Sequence, residues 1–449
     1  MSPSPWYREL NRYHWLVLVV ASLGWLCDCM DQQLFNLARR PAMLELLHVR
    51  PGDASMAGPV AEYAGYATMI FMIGWASGGV LFGILGDRIG RVKTMVLSIL
   101  FYSAFTGLSV LSTGVWDFSA YRFLTGLGVG GEFAVGVALV AEVMPDRARP
   151  FALGWLQACS ALGNVIAALI GIGLGQLQQA HIISSSWRMM FVIGALPALL
   201  VVIIMRRLQE PEAWQRAKAD KAAHKAQLGS MAELFSDRRW RRSTLVGMSL
   251  AFAGVVGLWG IGFFSFDLLS SVLGKTFRAQ GLPETVIAGK TTMWTGITSL
   301  LQNFGAFWGV YAFTHYTHHV GRRKAFAFGF IAAMISTAFT FWRLKDFSDI
   351  FWMIPIMGFF QIGLFGGYAI YFPELFPTRL RSTGTSFCYN VGRLVAAVGP
   401  LSLGLLTSGV YGGYDEPMRY AGMTMCLVFL FGIAVLPWAP ETRGRPLPE

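Results

Sequence analysis

Four charged side chains interrupt stretches of sequence that are otherwise apolar. Asp28 and Asp31 lie within the first such stretch, and Arg122 and Glu132 lie within the fourth. A charge inside a long apolar segment is costly unless it is paired or neutralised, and such a residue usually has a function. These four residues are therefore the first candidates for chemistry in this chain.

The two aspartates are three residues apart, so on a helix they share one face with about 4.5 Å of axial rise between them. Two carboxylates this close in a medium of low dielectric constant cannot both carry a charge cheaply. A proton or a cation has to compensate them, and Arg122 lies at a comparable depth to be that cation. The pattern predicts a proton-exchanging site, and the alternative is a static salt bridge that fixes the helix register.

Glu132 directly follows Gly130 and Gly131 and is predicted to lie near the middle of its apolar segment. Three roles stay open for it: a second protonation site, a hydrogen-bond partner for a substrate, or a protonated structural side chain. The glycine run that ends at Gly131 begins at Gly126. Small residues at this spacing are predicted to let the helix pack closely on its neighbours.

Polar residues in the second half of the chain form a candidate binding site for a solute. Arg393 and Asn390 are three residues apart in the eleventh apolar segment, and a deeply placed Arg needs an anionic partner. Because that half offers few buried carboxylates, the favoured partner is a substrate carboxylate held through two parallel hydrogen bonds. Contact with backbone carbonyls is the alternative. The other candidate binding residues are Gln361, Tyr368, Gln302, Asn303 and Trp259.

Composition identifies the medium that surrounds these groups. Of 449 residues, 54% are hydrophobic and 14% are charged, which is too little charge for the surface of a soluble protein. About twelve apolar segments of roughly 20 residues each are long enough to cross ~30 Å of hydrocarbon. These segments are predicted at residues 14–37, 62–85, 94–113, 117–142, 151–175, 188–205, 243–270, 291–314, 325–342, 350–372, 384–407 and 419–438.

The net charge of +11 arises from Lys and Arg residues that lie almost entirely between the apolar segments. Loops that carry positive charge stay on the inner side of a membrane, which places both termini in the cytoplasm and predicts no nucleic-acid partner. The five Cys lie within apolar segments without metal-ligand spacing, so no metal or other cofactor is predicted. No nucleophile–base set occurs at membrane depth, so the chain is not predicted to be an enzyme.

Three short signatures occur twice in the chain at nearly one offset. The paired ranges are 141–149 with 373–381, 232 positions later; 86–93 with 318–324, 231 positions later; and 210–212 with 440–442, 229 to 230 positions later. This agreement indicates a duplicated membrane domain. Two packed repeats are an architecture of secondary transporters.

Several of these segments resemble motifs of the major facilitator superfamily. GDRIGRVK at 86–93 is similar to its loop signature, and PETRGR at 440–445 is similar to the tail of its sugar-porter and organic-ion branches. Arg122 and the glycine run after it resemble the fourth-helix pattern of proton-coupled members. Asp28 and Asp31 have the spacing of the aromatic-acid:proton symporters, although Cys and Met stand between them where Gly and an aromatic are usual. Segment 387–393 resembles the eleventh helix of the organic-acid symporters.

The resemblance implies an all-α membrane protein of twelve transmembrane helices in two pseudo-symmetric six-helix bundles. The predicted bundles are 1–205 and 243–449, with a cytoplasmic linker at 206–242. The resemblance also implies that Asp87 ties the two halves together on the cytoplasmic side when the carrier faces outward. Loop orientation by positive charge alone is the alternative. The predicted gate residues are Gly86, Asp87, Arg88, Gly90, Arg91, Glu142, Arg147, Glu374 and Arg379.

Together, the residues and the resemblance predict a proton-coupled symporter of a small organic solute that works by alternating access. The favoured cargo is an organic or aromatic acid anion, and the predicted partners are this solute, the proton and membrane lipid. The chain is expected to work as a monomer in a bacterial inner membrane. A sugar or sugar-acid transporter is the first alternative because sugar porters share the tail motif. A uniporter and a transporter-like sensor stay open as well.

Overall fold

The computed structural model of the protein describes residues 5–49, 57–224, 228–262, 264–396 and 406–448. Within these ranges the regular structure is helical and no strand occurs. This follows from the apolar sequence, because a backbone in hydrocarbon has to satisfy its own hydrogen bonds. The helices of the first half are α1 (Arg12–Leu46), α2 (Ala57–Ile89), α3 (Arg91–Leu108), α4 (Val115–Val143), α5 (Arg149–Gln179), α6 (Ser186–Gly194) and α7 (Ala198–Arg207).

Two short helices, α8 (Glu212–His224) and α9 (Met231–Ser236), occupy the predicted linker. The second half contains α10 (Arg238–Val255), a π-helical segment (Val256–Gly262), α11 (Phe264–Ala279), α12 (Glu284–Val320), α13 (Arg322–Arg343), α14 (Ile350–Glu374), α15 (Arg381–Ala396), α16 (Pro417–Met425) and α17 (Val428–Val435).

Eight spans among the described residues are long and apolar enough to cross a membrane. They are Arg12–Leu46, Glu62–Ile89, Arg91–Leu111, Val115–Val143, Arg149–Gln178, Arg322–Arg343, Phe347–Glu374 and Pro417–Trp438. Part of the predicted segment 384–407, from residue 397 to residue 405, lies outside the described residues. The number twelve stays a prediction, but the chain is a multi-pass integral membrane protein.

The chain forms two compact units. The first comprises Met1–Arg241, Phe372–Asn390 and Pro446–Glu449, and the second comprises Arg242–Tyr371 and Val391–Arg445. The first unit thus includes the start of α15 and the last residues, which lie far along the chain from the rest of that unit. The predicted boundaries at 205 and 243 stay a prediction.

Helix α4 lies inside the first unit because its glycines let neighbouring helices approach. A Cβ atom at Gly128 would lie 2.6 Å from the backbone nitrogen of Tyr102 in α3, and one at Gly126 would lie 2.8 Å from that of Trp75 in α2. Real side chains do not tolerate such separations, so the glycine run serves close packing, as its spacing predicts. As a result, 83% of the 18-residue apolar stretch of α4 is buried inside the protein.

A glutamate closes the N-terminus of α3. The two carboxylate oxygens of Glu210 accept hydrogen bonds from the backbone N–H groups of Val92 at 3.2 Å and Lys93 at 3.1 Å. The first N–H groups of a helix have no partner within the helix and carry partial positive charge, so a carboxylate stabilises them in both respects. The residue just before this helix, Gly90, has a φ of +119°.

The second unit repeats this arrangement at α13. Glu441 accepts hydrogen bonds from the backbone N–H groups of Arg322 at 2.9 Å and Arg323 at 3.1 Å. Gly321 precedes the helix with a φ of +93°, and a Cβ atom there would lie 2.9 Å from a Glu441 carboxylate oxygen. Glycine is therefore required both by the backbone conformation and by the cap. Glu210 and Glu441 are 231 positions apart, which corrects the offset of 229 to 230 positions taken from the sequence.

The Glu441 cap makes the stability of the second unit depend on pH. Burial pulls the pKa of Glu441 upward, but backbone hydrogen bonds, led by the one from Arg322, outweigh burial and leave the pKa below its usual value. A carboxylate with a depressed folded-state pKa contributes stability that is fully present above the unfolded value of about 4.3. That contribution is lost as the pH falls through the folded pKa.

We expect E441Q to lower the thermal unfolding midpoint of the purified protein at pH 7, because a charged helix cap is worth about 1–2 kcal/mol. The gap between wild type and E441Q should close on acidification below the ordinary carboxylate pKa. The control is E212Q, because Glu212 is exposed and its only recorded ion pair is with the exposed Arg216. A gap that stays constant from neutral to acid pH would contradict this account.

Candidate functional site

Asp31 and Arg122 come together inside the first unit. Oδ2 of Asp31 lies 3.9 Å from Nη1 of Arg122, and both side chains are fully buried. Thr106 of α3 donates a hydrogen bond to the other Asp31 oxygen at 2.9 Å. A separation of 3.9 Å is an ion pair without a direct hydrogen bond. Asp28 is also buried, one turn earlier on α1.

Arg122 has contacts that do not depend on Asp31. Its Nε and Nη2 donate hydrogen bonds to the hydroxyl of Ser109, at 3.2 and 2.6 Å. Its guanidinium carbon lies 4.4 Å from the ring centroid of Phe191, 5.7 Å from that of Phe35 and 5.9 Å from that of Phe118. Aromatic faces attract cations, most strongly where water is absent. The guanidinium is therefore held in place even if Asp31 loses its charge.

Glu132 is buried without a partner. Among the described residues neither of its carboxylate oxygens has a hydrogen bond, and its side chain is 1% exposed. Gly24 of α1 makes room for it, because a Cβ atom there would collide with the Glu132 carboxylate. A carboxylate in such surroundings is destabilised unless a proton, a cation or a ligand joins it. The ion pair of Asp31 and Arg122 does not include Glu132.

Further buried polar atoms on the same helices lack hydrogen-bond partners among the described residues. They are Trp25 Nε1, Tyr102 Oη, Thr125 Oγ1 and Gln157 Oε1, on α1, α3, α4 and α5. Buried polar groups are normally satisfied, so these four atoms are candidates for contact with water or a polar solute. The sequence contained no signal for these four residues, because Trp, Tyr, Thr and Gln are ordinary residues in a helix bundle.

Four charged side chains form a second group, here named the Glu142 cluster: Asp87, Arg91, Glu142 and Arg381. Arg91 lies 2.9 Å from Asp87 and 2.7 Å from Glu142, and Arg381 lies 2.8 Å from Glu142. All four side chains belong to the first unit and are at most 1% exposed. Two cations and two carboxylates balance, so each charge is compensated where water is excluded.

Asp87 also contacts the N-terminus of α15. Its carboxylate accepts hydrogen bonds from the backbone N–H groups of Ser382 at 3.1 Å and Thr383 at 2.9 Å, and from the Thr383 hydroxyl at 2.6 Å. A helix N-terminus favours negative charge through its free N–H groups and its dipole. Asp87 therefore holds the start of α15 and one cation of the Glu142 cluster at the same time.

Two arginines predicted for the gate lie outside this cluster. Arg147 pairs with Glu9 at 2.6 Å, and Arg379 pairs with Glu233 at 2.6 Å. The second arginine of the Glu142 cluster is Arg381, which is not among the predicted gate residues.

Other predicted gate residues have local contacts. The carbonyl of Gly86 accepts a hydrogen bond from Arg91 at 2.7 Å, whereas Arg88 is exposed and donates to the carbonyl of Leu228 at 3.4 Å. Glu374 is half-buried at the end of α14. Gly86 thus contacts the Glu142 cluster directly.

The repeat offset contained the signal for Arg381. Arg149 lies 232 positions before it and donates a hydrogen bond to the carbonyl of Ala141 at 2.7 Å. Arg381 donates to the carbonyl of Pro373, which is 232 positions after Ala141, at 3.2 Å. Both repeats thus use the second arginine of the motif to close the end of the preceding helix.

Two predicted substrate residues satisfy backbone carbonyls in the second unit. Gln361 donates from Nε2 to the carbonyl of Gly257 at 2.7 Å, and Tyr368 donates from its hydroxyl to the carbonyl of Leu250 at 2.7 Å. Both side chains are fully buried. They join α14 to α10 and the π-helical segment, while Oε1 of Gln361 has no hydrogen bond among the described residues.

The remaining candidates lie on α12, on α15 and in the π-helical segment. Gln302 and Asn303 are buried on α12, and Asn390 and Arg393 are buried on α15, with Asn390 in the first unit and Arg393 in the second. Trp259 lies in the π-helical segment, and its side chain is outside the described part of the structure. A substrate role for these residues stays a prediction.

Comparisons with known proteins agree with this architecture. The sequence profile of the Major Facilitator Superfamily matches residues 21–400. The chain is 31% identical over 349 residues to a cis,cis-muconate transport protein of Acinetobacter baylyi, covering 77% of this chain and 79% of that protein. It is 28% identical over 432 residues to the sialic acid transporter NanX of Escherichia coli, covering 96% of each.

A solved structure of the proton:xylose symporter XylE superimposes with a TM-score of 0.71 at 16% identity, covering 97% of this chain and 98% of that chain. At this identity the likeness concerns the fold alone. The family match extends over most of the chain, and the relatives are transporters rather than enzymes. The chain therefore belongs to the Major Facilitator Superfamily and is a membrane transporter.

Proposed function

We propose that the protein is a proton-coupled symporter of a small organic acid anion. The observation that carries this proposal is the buried Asp31–Arg122 pair, 3.9 Å apart, with Glu132 on the same helix as Arg122 and without a hydrogen-bond partner in the described part of the chain. A pair that is close but not hydrogen-bonded can accept a proton on the carboxylate without breaking a short contact. Asp31 is the proposed site of proton exchange, and Asp28 and Glu132 are its proposed partners.

The other contacts of Arg122 lower the energetic cost of protonating Asp31. An arginine that loses its counter-ion inside a membrane is normally very costly. Here Ser109 and three phenylalanine rings continue to hold the guanidinium when Asp31 becomes neutral. Protonation therefore changes the attraction between α1 and α4 without releasing Arg122, which links the proton to helix movement.

The Glu142 cluster is the proposed cytoplasmic gate. In the proposed cycle, Asp87 holds the start of α15 while the carrier is open to the outside. Loss of the Asp87 hydrogen bonds to Ser382 and Thr383 accompanies opening to the cytoplasm. Because the cluster is buried and balanced, it opens only as a whole, and the gate has two states.

The proposed cargo is an organic acid because both relatives named above carry acids by their names. Arg393, buried in the second unit, is the proposed carboxylate ligand, since a guanidinium matches a carboxylate through two parallel hydrogen bonds. The remaining proposed binding residues are Asn390, Gln361, Tyr368, Gln302, Asn303 and Trp259. The proposed topology has twelve spans, both termini in the cytoplasm of a bacterial cell, and one chain as the working unit.

The cargo can be tested by uptake into proteoliposomes of cis,cis-muconate, sialic acid and xylose, each with and without an inward proton gradient. We expect an acid to accumulate only with the gradient. R393Q should lower its kcat/KM by about 100-fold, since a charge-assisted bidentate contact is worth about 3 kcal/mol. R393K keeps the positive charge but loses the two parallel N–H donors of the guanidinium. Its kcat/KM should therefore lie between those of wild type and R393Q. Accumulation of xylose that R393Q leaves unchanged would contradict the anion proposal.

The gate can be tested by the reactivity of a cysteine placed at Ser382, which is fully buried beside Asp87. In S382C, a membrane-impermeant maleimide on the cytoplasmic side should react slowly. Adding D87N should raise the labelling rate by about tenfold or more, because the loss of a buried charged partner costs about 3 kcal/mol. D415N, at an exposed aspartate, is the control. Equal labelling rates with and without D87N would remove Asp87 from the gate.

A further inference from the structure

A groove of about 600 Å³ opens on the surface of the second unit. The first turns of α13 form one wall, and the end of α17 with the residues after it forms the other. Its lining includes the apolar residues Ala327, Ile433 and Leu436 and the basic residues Arg323, Lys324 and Arg443. The groove is lined by residues of the second unit, whereas Asp31, Arg122 and the Glu142 cluster belong to the first unit.

The rim of the groove has more positive than negative charge. Glu441 also lines it, but its carboxylate is used by the backbone N–H groups at the start of α13. Arg323 donates from Nε to the carbonyl of Leu436 at 3.1 Å, which fixes its cation at the rim. Lys324 and Arg443 are exposed, and no ion pair is recorded for either among the described residues. Three cations against one carboxylate leave a site that attracts an anion.

Apolar surface continues from the groove along both walls. Ile331, one turn after the groove residue Ala327, is exposed on α13, and Leu430, one turn before Ile433, is exposed on α17. Trp438, just after α17, is 60% exposed at the end of its membrane span. Tryptophan at the end of a span is typical of the membrane–water interface. The groove thus joins a cationic rim to a surface that faces acyl chains.

We propose that this groove binds an anionic glycerophospholipid. The phosphate lies between Lys324 and Arg443 through charge-assisted hydrogen bonds, and the acyl chains follow Ile331 and Leu430. The inference rests on the proposed function in one respect: the proposed orientation, with both termini in the cytoplasm, places the groove at the cytoplasmic leaflet. That leaflet carries anionic lipid and attracts basic residues close to its surface.

The first repeat provides an internal comparison. At the 231-position offset, Val92 stands in place of Arg323, and Glu212 stands in place of Arg443. Only Lys93, which corresponds to Lys324, keeps its charge. Arg206, which is exposed, stands in place of Pro437, so the first repeat carries its cations at other positions than the second.

The test is native mass spectrometry of the full-length protein, delipidated in a neutral detergent and titrated with phosphatidylglycerol. Phosphatidylcholine with the same acyl chains is titrated in parallel, and sn-glycerol 3-phosphate tests the headgroup without acyl chains. K324Q/R443Q removes two exposed cations, and K93Q/R241Q removes two exposed cations elsewhere. The thermal unfolding midpoint of each variant without lipid reports whether it folds as wild type does.

We expect wild type and K93Q/R241Q to bind phosphatidylglycerol with equal affinity and in preference to phosphatidylcholine. K324Q/R443Q should bind it about 25-fold more weakly, about fivefold for each cation removed. Equal binding by K324Q/R443Q and wild type would overturn the proposal. Equal retention of both lipids, or binding of sn-glycerol 3-phosphate as tight as that of phosphatidylglycerol, would also overturn it. Because lipid adducts are counted without transport, these results do not depend on the cargo or on proton coupling.

Discussion

A charge inside a membrane bundle is stable only beside an opposite charge, a proton or a hydrogen-bond partner, and this constraint organises the first unit. Arg122 and Asp31 satisfy it with an ion pair of 3.9 Å, supported by Ser109 and by aromatic rings on the arginine side. The Glu142 cluster satisfies it with balanced charges and the N-terminus of α15. Glu132 alone has no partner among the described residues. The charges that are least completely paired are the ones we propose to exchange a proton.

The duplication preserved the helix caps and changed the charged sites. Glu210 and Glu441 close corresponding helices after glycines with positive φ, so both copies keep the geometry of this loop. In the second copy His318 stands at the position of Asp87. The carboxylate that accepts hydrogen bonds from a helix N-terminus in the first copy is therefore replaced by an imidazole in the second. The two repeats share the capped loop and differ in the charged residues beside it.

The sequence was enough to predict the helical membrane fold, the family and the absence of enzyme character. The pairing of Asp31 with Arg122 is also as expected from their similar depth in the membrane, because a charge buried in hydrocarbon has few possible partners. The supporting residues could not be predicted, since Ser109, Thr106 and Gly24 are ordinary residues whose role comes from tertiary packing. The repeat offset points to the buried Arg381 as a member of the Glu142 cluster, and a gate role for Arg379 stays a prediction.

The central claim is that protonation of Asp31 couples the proton to solute movement. Its most direct test compares D31N with wild type in two assays in proteoliposomes: gradient-driven accumulation of the acid, and gradient-free exchange of labelled for unlabelled acid. We predict that D31N loses accumulation and keeps exchange, because Arg122 stays held when Asp31 is neutral, and that D415N behaves as wild type. Accumulation by D31N at the wild-type level would contradict the account and leave Asp31 as a structural partner of Arg122.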